Sequence, residues 1–174
     1  MKSIYSELPT FKKLLLLFPV LYLLHDLEEI FTIEMFLIVH ANIIPLQITA
    51  MEFALAFSLL WIFASIGCFI AVRDKKFLSF NPIDYLSFLV PGIFLANGIA
   101  HLLQFIFVKG YVPGMITSIV IIFPYSFFTV KYLLKEKQLT LKKFFGYLMA
   151  GFVLQAPLAL VAHFLSNLIL TFLL

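Results

Sequence analysis

The sequence predicts an all-α polytopic membrane bundle of about five transmembrane helices. Three observations carry that reading. Hydrophobic residues make up 63% of the 174 positions and charged residues only 12%, whereas a soluble domain is nearer half apolar and a quarter charged. The apolar residues are gathered into runs of about 20, the length a helix needs to span hydrocarbon. Those runs are continuous and do not alternate, which argues against a transmembrane barrel. The same composition excludes a soluble enzyme, a disordered chain and a nucleic-acid binder, because a soluble domain of this size would expose apolar patches larger than monomers tolerate.

The spans are expected at about 14–30, 48–72, 85–108, 112–134 and 144–174, in a single transmembrane domain covering 1–174. The first can continue through the apolar stretch to Val39, or residues 31–47 can lie in the interface or form a lid, with Asn42 to Pro45 turning into the second. No small-residue cleavage site follows the first run, and acidic HDLEE comes next, so it does not read as a signal peptide. Thr10 and Thr140 are candidate caps of the first and fifth helices. Asn81-Pro82 is an N-cap followed by a proline at the first helical position, and Pro113 suits the first turn of the fourth. Pro19, Pro91, Pro124 and Pro157 lie inside spans. Membrane helices tolerate such prolines, or their kinks open room for a cavity.

Eleven of the twelve basic residues fall on one predicted side, and only Lys109 falls on the other. The positive-inside rule then puts the N-terminus in the cytoplasm and the C-terminus outside. The one cysteine, Cys68, permits neither an internal disulfide nor a Cys-based zinc site.

Ionisable residues inside spans cost about 2.5–3.5 kcal/mol each at the helix centre and mark function by default. Here His25, Asp26, Glu28 and Glu29 lie in the first span, and Asn97, His101 and Gln104 in the third. Gln155 and His163 lie in the fifth, and Glu52 begins the second. On a rise of about 1.5 Å per residue, His25 and Asn97 both come about 17–18 Å from the cytoplasmic face, and His101 and His163 about 24–26 Å. These residues converge on one slab in the outer half of the bilayer. His25, Glu28 and Glu29 share a helix face, with Asp26 pointing away, to the interface or to a neighbour. Asn97, His101 and Gln104 form one stripe expected to face them.

Imidazole and carboxylate together suit a divalent metal, Zn, Fe or Mn. Candidate ligands are His25, Glu29 (or Glu28), His101 and, as a further candidate, His163. A remaining carboxylate, Glu28 or Glu29, can serve as general base. Asn97 and Gln104 can orient ligands or polarise a substrate carbonyl. HDLEE lacks the second helical histidine of HExxH and HxxEH, so a zinc peptidase of that type is not indicated. Taken alone, His163 and Gln155 read as hydrogen-bonding links between helices. Glu52 reads as a carboxylate favoured at a helix N-terminus, Glu34 as solvated, and His40 as an interfacial or loop residue.

HDLEE at 25–29 resembles the H-x-x-E-E signature of the HXXEE family of small, mostly bacterial, multi-span membrane proteins. NGIAH at 97–101 is similar to that family's second motif, N-x-x-x-H. The resemblance extends over most of the chain and implies importance for His25, Glu28, Glu29, Asn97 and His101. The family's activity is uncharacterised, so the resemblance points to residues and leaves the reaction open.

Three functions compete. One is a metal-dependent membrane enzyme, hydrolase or oxidoreductase, acting on a lipid or other hydrophobic substrate. A metal-free variant of it would use a buried glutamate as acid and base. The others are a cation or proton transporter and a non-catalytic accessory subunit. The bilayer is the one partner implied directly, and a bacterial cytoplasmic membrane is the expected location.

Overall fold

The computed structural model describes residues 9–44 and 48–173. Among them are five long helices: α1 (Thr10–Val39), α2 (Ala50–Val72), α3 (Pro82–Val108), α4 (Met115–Lys135) and α5 (Leu141–Leu173). The last four are long and apolar enough to cross a membrane. In α1 the apolar run is interrupted by Asp26, Glu28 and Glu29. The molecule is an integral membrane helical bundle.

Residues 31–39 continue α1 and do not form a separate interfacial segment or lid. FTIEMFLIV contains no breaker, and the helix runs until His40 ends it, its ring Nδ1 2.9 Å from the Phe36 carbonyl. At 1.5 Å per residue, the 30 residues of α1 extend about 45 Å, well beyond a hydrocarbon core of about 30 Å. Pro45, expected to complete the turn, lies outside the described residues. The extension is used: Phe36 and Leu37 pack with Val112 and Met115 in a small apolar cluster that holds the α3–α4 connection against α1.

The predicted caps divide by local chemistry. Asn81 accepts from the Ile83 and Asp84 amides at 3.1 and 2.9 Å, and Thr140 accepts from the Lys143 amide at 3.2 Å. Thr10 does not cap. It is already helical, and the Pro9 carbonyl takes the Lys12 and Lys13 amides instead. Pro113 precedes α4 and is not in its first turn, because Gly114 at φ +78° occupies the N-cap. Glu52 forms a capping box with Thr49 at the start of α2, with bonds of 2.8 and 3.2 Å. Glu34 is exposed but accepts from the Ala50 amide at 3.2 Å, tying α1 to the same helix start.

Pro91 sits in a widened π-helical stretch of α3, residues Phe88–Phe94. A second such stretch, Ser118–Ile122, follows the first turn of α4. Gln155 of α5 donates to the Ile93 carbonyl at 3.3 Å, the interhelical link expected of it. Nearby, a side-chain carbon on Gly151 would run into the Gly92 carbonyl, so α3 and α5 cross at glycines. Below the polar residues of α1, Phe18, Tyr22, Phe94 and Tyr125 form an aromatic core with ring centroids 5.3–6.1 Å apart. The lysine-bearing connections gather at the end where α1 begins. Lys12 pairs with Asp74 at 2.5 Å and Lys143 with Asp84 at 3.5 Å.

Candidate metal centre

HDLEE lies mid-helix in α1, one turn beyond Tyr22 of the aromatic core. The i, i+4 spacing brings His25 and Glu29 onto one side of α1, and His101 of α3 faces them. One donor atom from each of the three lies within 4.8 Å of the others. Glu29 Oε1 is 3.1 Å from His101 Nε2, and Glu29 Oε2 is 4.0 Å from His25 Nε2. The residues are 0%, 6% and 5% exposed for His25, Glu29 and His101. The rings of the two histidines meet edge to face at 5.1 Å, and Phe94 closes the floor at 5.9 Å from His25.

Burial at this level demands hydrogen-bond partners, yet several are missing. Both ring nitrogens of His101 and Oε2 of Glu29 have none. The 3.1 Å approach of His101 to Glu29 is out of line for a hydrogen bond, so their lone pairs converge on a shared space without satisfying each other. Two ligands of a tetrahedral zinc, at bonds of about 2.0–2.2 Å, stand about 3.3–3.5 Å apart. The observed separations of 3.1 and 4.0 Å bracket that spacing, so the three side chains could hold an ion. Two imidazoles and one carboxylate suit Zn²⁺ or Fe²⁺ with positions left open.

His25 is the most constrained member. Its Nδ1 lies 2.7 Å from Thr117 Oγ1, and Asn97 Nδ2 donates to its Nε2 at 3.0 Å. Asn97, one turn before His101 on α3, thus touches the group as its position in NGIAH suggested.

Glu28 turns to the start of α4 instead. Oε1 accepts from the Tyr111 hydroxyl at 2.7 Å and the Ile116 amide at 3.1 Å. Oε2 accepts from the Thr117 amide at 2.7 Å and its hydroxyl at 2.6 Å. A carboxylate has about four acceptor sites, and here all four are filled. A negative group against the first amides of a helix is also favoured by the helix dipole. Burial, together with the neighbouring Glu28 carboxylate, holds the Tyr111 phenol above its ordinary value, which keeps it a donor.

Gly114 shapes the other wall. A side-chain carbon there would stand 2.8 Å from His25 Cε1 and 2.9 Å from His101 Nε2. Its φ of +78° also belongs to glycine. Gly114, Thr117 and Tyr111 did not emerge from the sequence reading. The Pro113-Gly114 dipeptide, a common turn signal, could have marked the place.

Other expectations are corrected. Of the two places open to Asp26, the interface or a neighbour, its burial excludes the interface. It is 2% exposed, and neither carboxylate oxygen has a hydrogen-bond partner. Gln104 is exposed and does not join Asn97 and His101, because residues 102–107 of α3 are exposed all round. His163 is not brought to the group either. Its ring packs against Phe53 and Phe57 of α2 at 5.9 and 6.1 Å, since α5 lies on α2 and α3.

A family described as a protein of unknown function with HXXEE motif matches residues 16–129. The chain belongs to the HXXEE family. The matched segment of this HXXEE protein contains His25, Glu28, Glu29, Asn97, His101, Gly114 and Thr117, and leaves His163 outside. Nothing matches the chain among curated proteins or among solved structures.

Proposed function

We propose that this HXXEE protein is a metal-dependent enzyme of the membrane, hydrolase or oxidoreductase in type, acting on a lipid or similarly hydrophobic substrate. One observation carries the reading. Three buried metal-ligating side chains on two helices bring donor atoms within 4.8 Å of one another, and Glu29 Oε2 and both ring nitrogens of His101 have no partner in the protein. Such groups are costly in hydrocarbon unless something compensates them. A bound Zn²⁺ or Fe²⁺ would supply Lewis acidity at this point. His25, Glu29 and His101 would hold it. Asn97 offers an amide donor beside them, able to orient a polar group of the substrate. Phe94 and the aromatic core beneath exclude water from one side. The lysine asymmetry supports a cytoplasmic N-terminus in a bacterial cytoplasmic membrane.

Metal analysis of the detergent-purified chain tests this directly. The expected result is a stoichiometric divalent metal, lost in His25→Ala and His101→Ala variants that keep wild-type helicity. A wild-type protein that takes up no stoichiometric Zn²⁺, Fe²⁺ or Mn²⁺ on reconstitution would overturn the reading.

A further inference from the structure

The metal reading leaves open which nitrogen of His25 faces the group, and the answer lies outside both sequence motifs. We infer that Thr117 is a positioning residue that holds His25 as its Nδ1–H tautomer, so that the Nε2 lone pair faces Glu29 and His101. The assignment deepens the metal reading and rests on it for its purpose. The hydrogen-bond argument itself stands independently.

The hydrogens around Thr117 can be counted. Thr117 Oγ1 has three close oxygen or nitrogen neighbours and one hydrogen to give: Glu28 Oε2 at 2.6 Å, His25 Nδ1 at 2.7 Å and the Gly114 carbonyl at 3.3 Å. Glu28 receives three other donors, from Tyr111, Ile116 and the Thr117 amide, so it is arranged as a pure acceptor. A contact of 2.6 Å between two oxygens needs a hydrogen between them, and only the threonine can provide it. With its hydrogen committed to Glu28, the hydroxyl can only accept from His25. That puts the imidazole hydrogen on Nδ1 and the lone pair on Nε2.

The opposite side of the ring agrees, because an amide nitrogen of Asn97 is placed to donate to Nε2, which therefore carries the lone pair; a metal would take that lone pair in place of the Asn97 hydrogen. Histidines that bind metals commonly have their second nitrogen fixed by a carboxylate or another acceptor. Here the carboxylate acts at one remove, through a hydroxyl on a different helix. Glu28 in turn holds Thr117 by the first turn of α4, which explains why the two adjacent glutamates of HDLEE do different work. Glu29 stays with the donor group, while Glu28 orients the residue that orients His25.

The test uses the full chain in detergent, ¹⁵N-labelled at histidine, with four histidines to assign. Long-range proton–nitrogen spectra report each tautomer, and Zn²⁺ titration against a competing chelator reports affinity. Wild type is expected to show His25 as Nδ1–H. Thr117→Val keeps the backbone amide that caps on Glu28 but removes the hydroxyl. It should lose that tautomer preference and bind Zn²⁺ about 10- to 100-fold more weakly. Thr117→Ser should restore both. An Nε2–H wild-type His25 would overturn the inference, as would a Thr117→Val protein with unchanged tautomer and affinity. The wild-type spectrum decides even where Thr117→Val fails to fold. A wild type that binds no Zn²⁺ but shows a Thr117-dependent Nδ1–H tautomer would remove the metal reading and leave this one standing.

Discussion

Around Phe18, Tyr22, Phe94 and Tyr125, and again one turn further along the same helices around His25, Glu29 and His101, the bundle buries polar atoms, but it treats them differently. In the aromatic half the larger polar groups reach backbone carbonyls: Trp61 to Pro19 at 2.7 Å, Tyr125 to Leu14 at 2.8 Å and Tyr85 to Ala64 at 3.0 Å. The groups left over there are uncharged: the hydroxyls of Ser65, Ser87, Ser126 and Thr129, and the Gln138 amide oxygen in the connection between α4 and α5. In the polar half the leftovers are ionisable: Glu29, His101 and both oxygens of Asp26. An unpaired hydroxyl costs about 1–3 kcal/mol on protein mutational data, and an ionisable group in hydrocarbon costs more unless compensated. The contrast teaches that the first half is built for packing. The second carries an expense that a bound ion, a proton or a buried water would relieve.

That contrast can be attacked where it is sharpest. Gly114→Ala should have the largest effect. It forces an L side chain into a left-handed conformation, costing about 1–2 kcal/mol, and drives it into both imidazoles. The expected outcome is loss of bound metal with helicity retained, read by metal analysis and circular dichroism. Retained stoichiometry would show that the histidine walls can give way. Asp26→Leu asks whether the unpartnered carboxylate belongs to the donor group. Asp26 is not among the three converging residues, so metal content should be unchanged. Removing an unpaired buried polar group should raise stability by about 1–3 kcal/mol in thermal melts in detergent. Metal lost on this substitution would enlarge the donor set.

The smallest effect concerns Tyr111, at the exposed rim of the polar half. Its phenol is held above the ordinary value of 10.0 by burial and by Glu28. The contribution of this contact is therefore fully present below about pH 10 and is lost as pH rises through the higher folded value. Tyr111→Phe should cost about 0.5–1.5 kcal/mol, the net worth of one hydrogen bond. The gap in melting temperature between the two proteins should stay constant to about pH 10 and narrow above it. A gap that narrows near neutral pH would mean that Glu28 or another group carries the dependence.

How much of this was legible beforehand follows from what one-dimensional spacing can report. Five helices, and the meeting of His25, Glu29, Asn97 and His101, were legible because span length, i, i+4 spacing and depth are all counts along the chain. Azimuth between helices is not such a count. His163 was placed by depth, yet α5 sits against α2 and α3 and turns that ring to Phe53 and Phe57. Gln104 continued the stripe, but residues 102–107 of α3 are exposed, and packing resumes only at Val108. For Asp26 the spacing left interface or neighbour open, and it is the packing of α1 by α2 as well as by α3 and α4 that buries it. Thr117 is one hydroxyl among many, and only the reach of Glu28 across to α4 gives it meaning.

The widened stretch around Pro91 has a consequence for how this molecule tolerates change. A π-type turn holds one more residue than the α-helix on either side of it, and each residue of helix swings the next by about 100°. Asn97 and His101 lie just downstream of that stretch, on the part of α3 that begins at Leu95. Their compass bearing toward α1 is therefore set by an accommodated insertion several residues upstream, and not by the motif they belong to. A single-residue deletion between Phe88 and Phe94 would leave HDLEE and NGIAH intact as text while rotating the second away from the first. For this fold, indels near Pro91 act as changes of direction rather than of length.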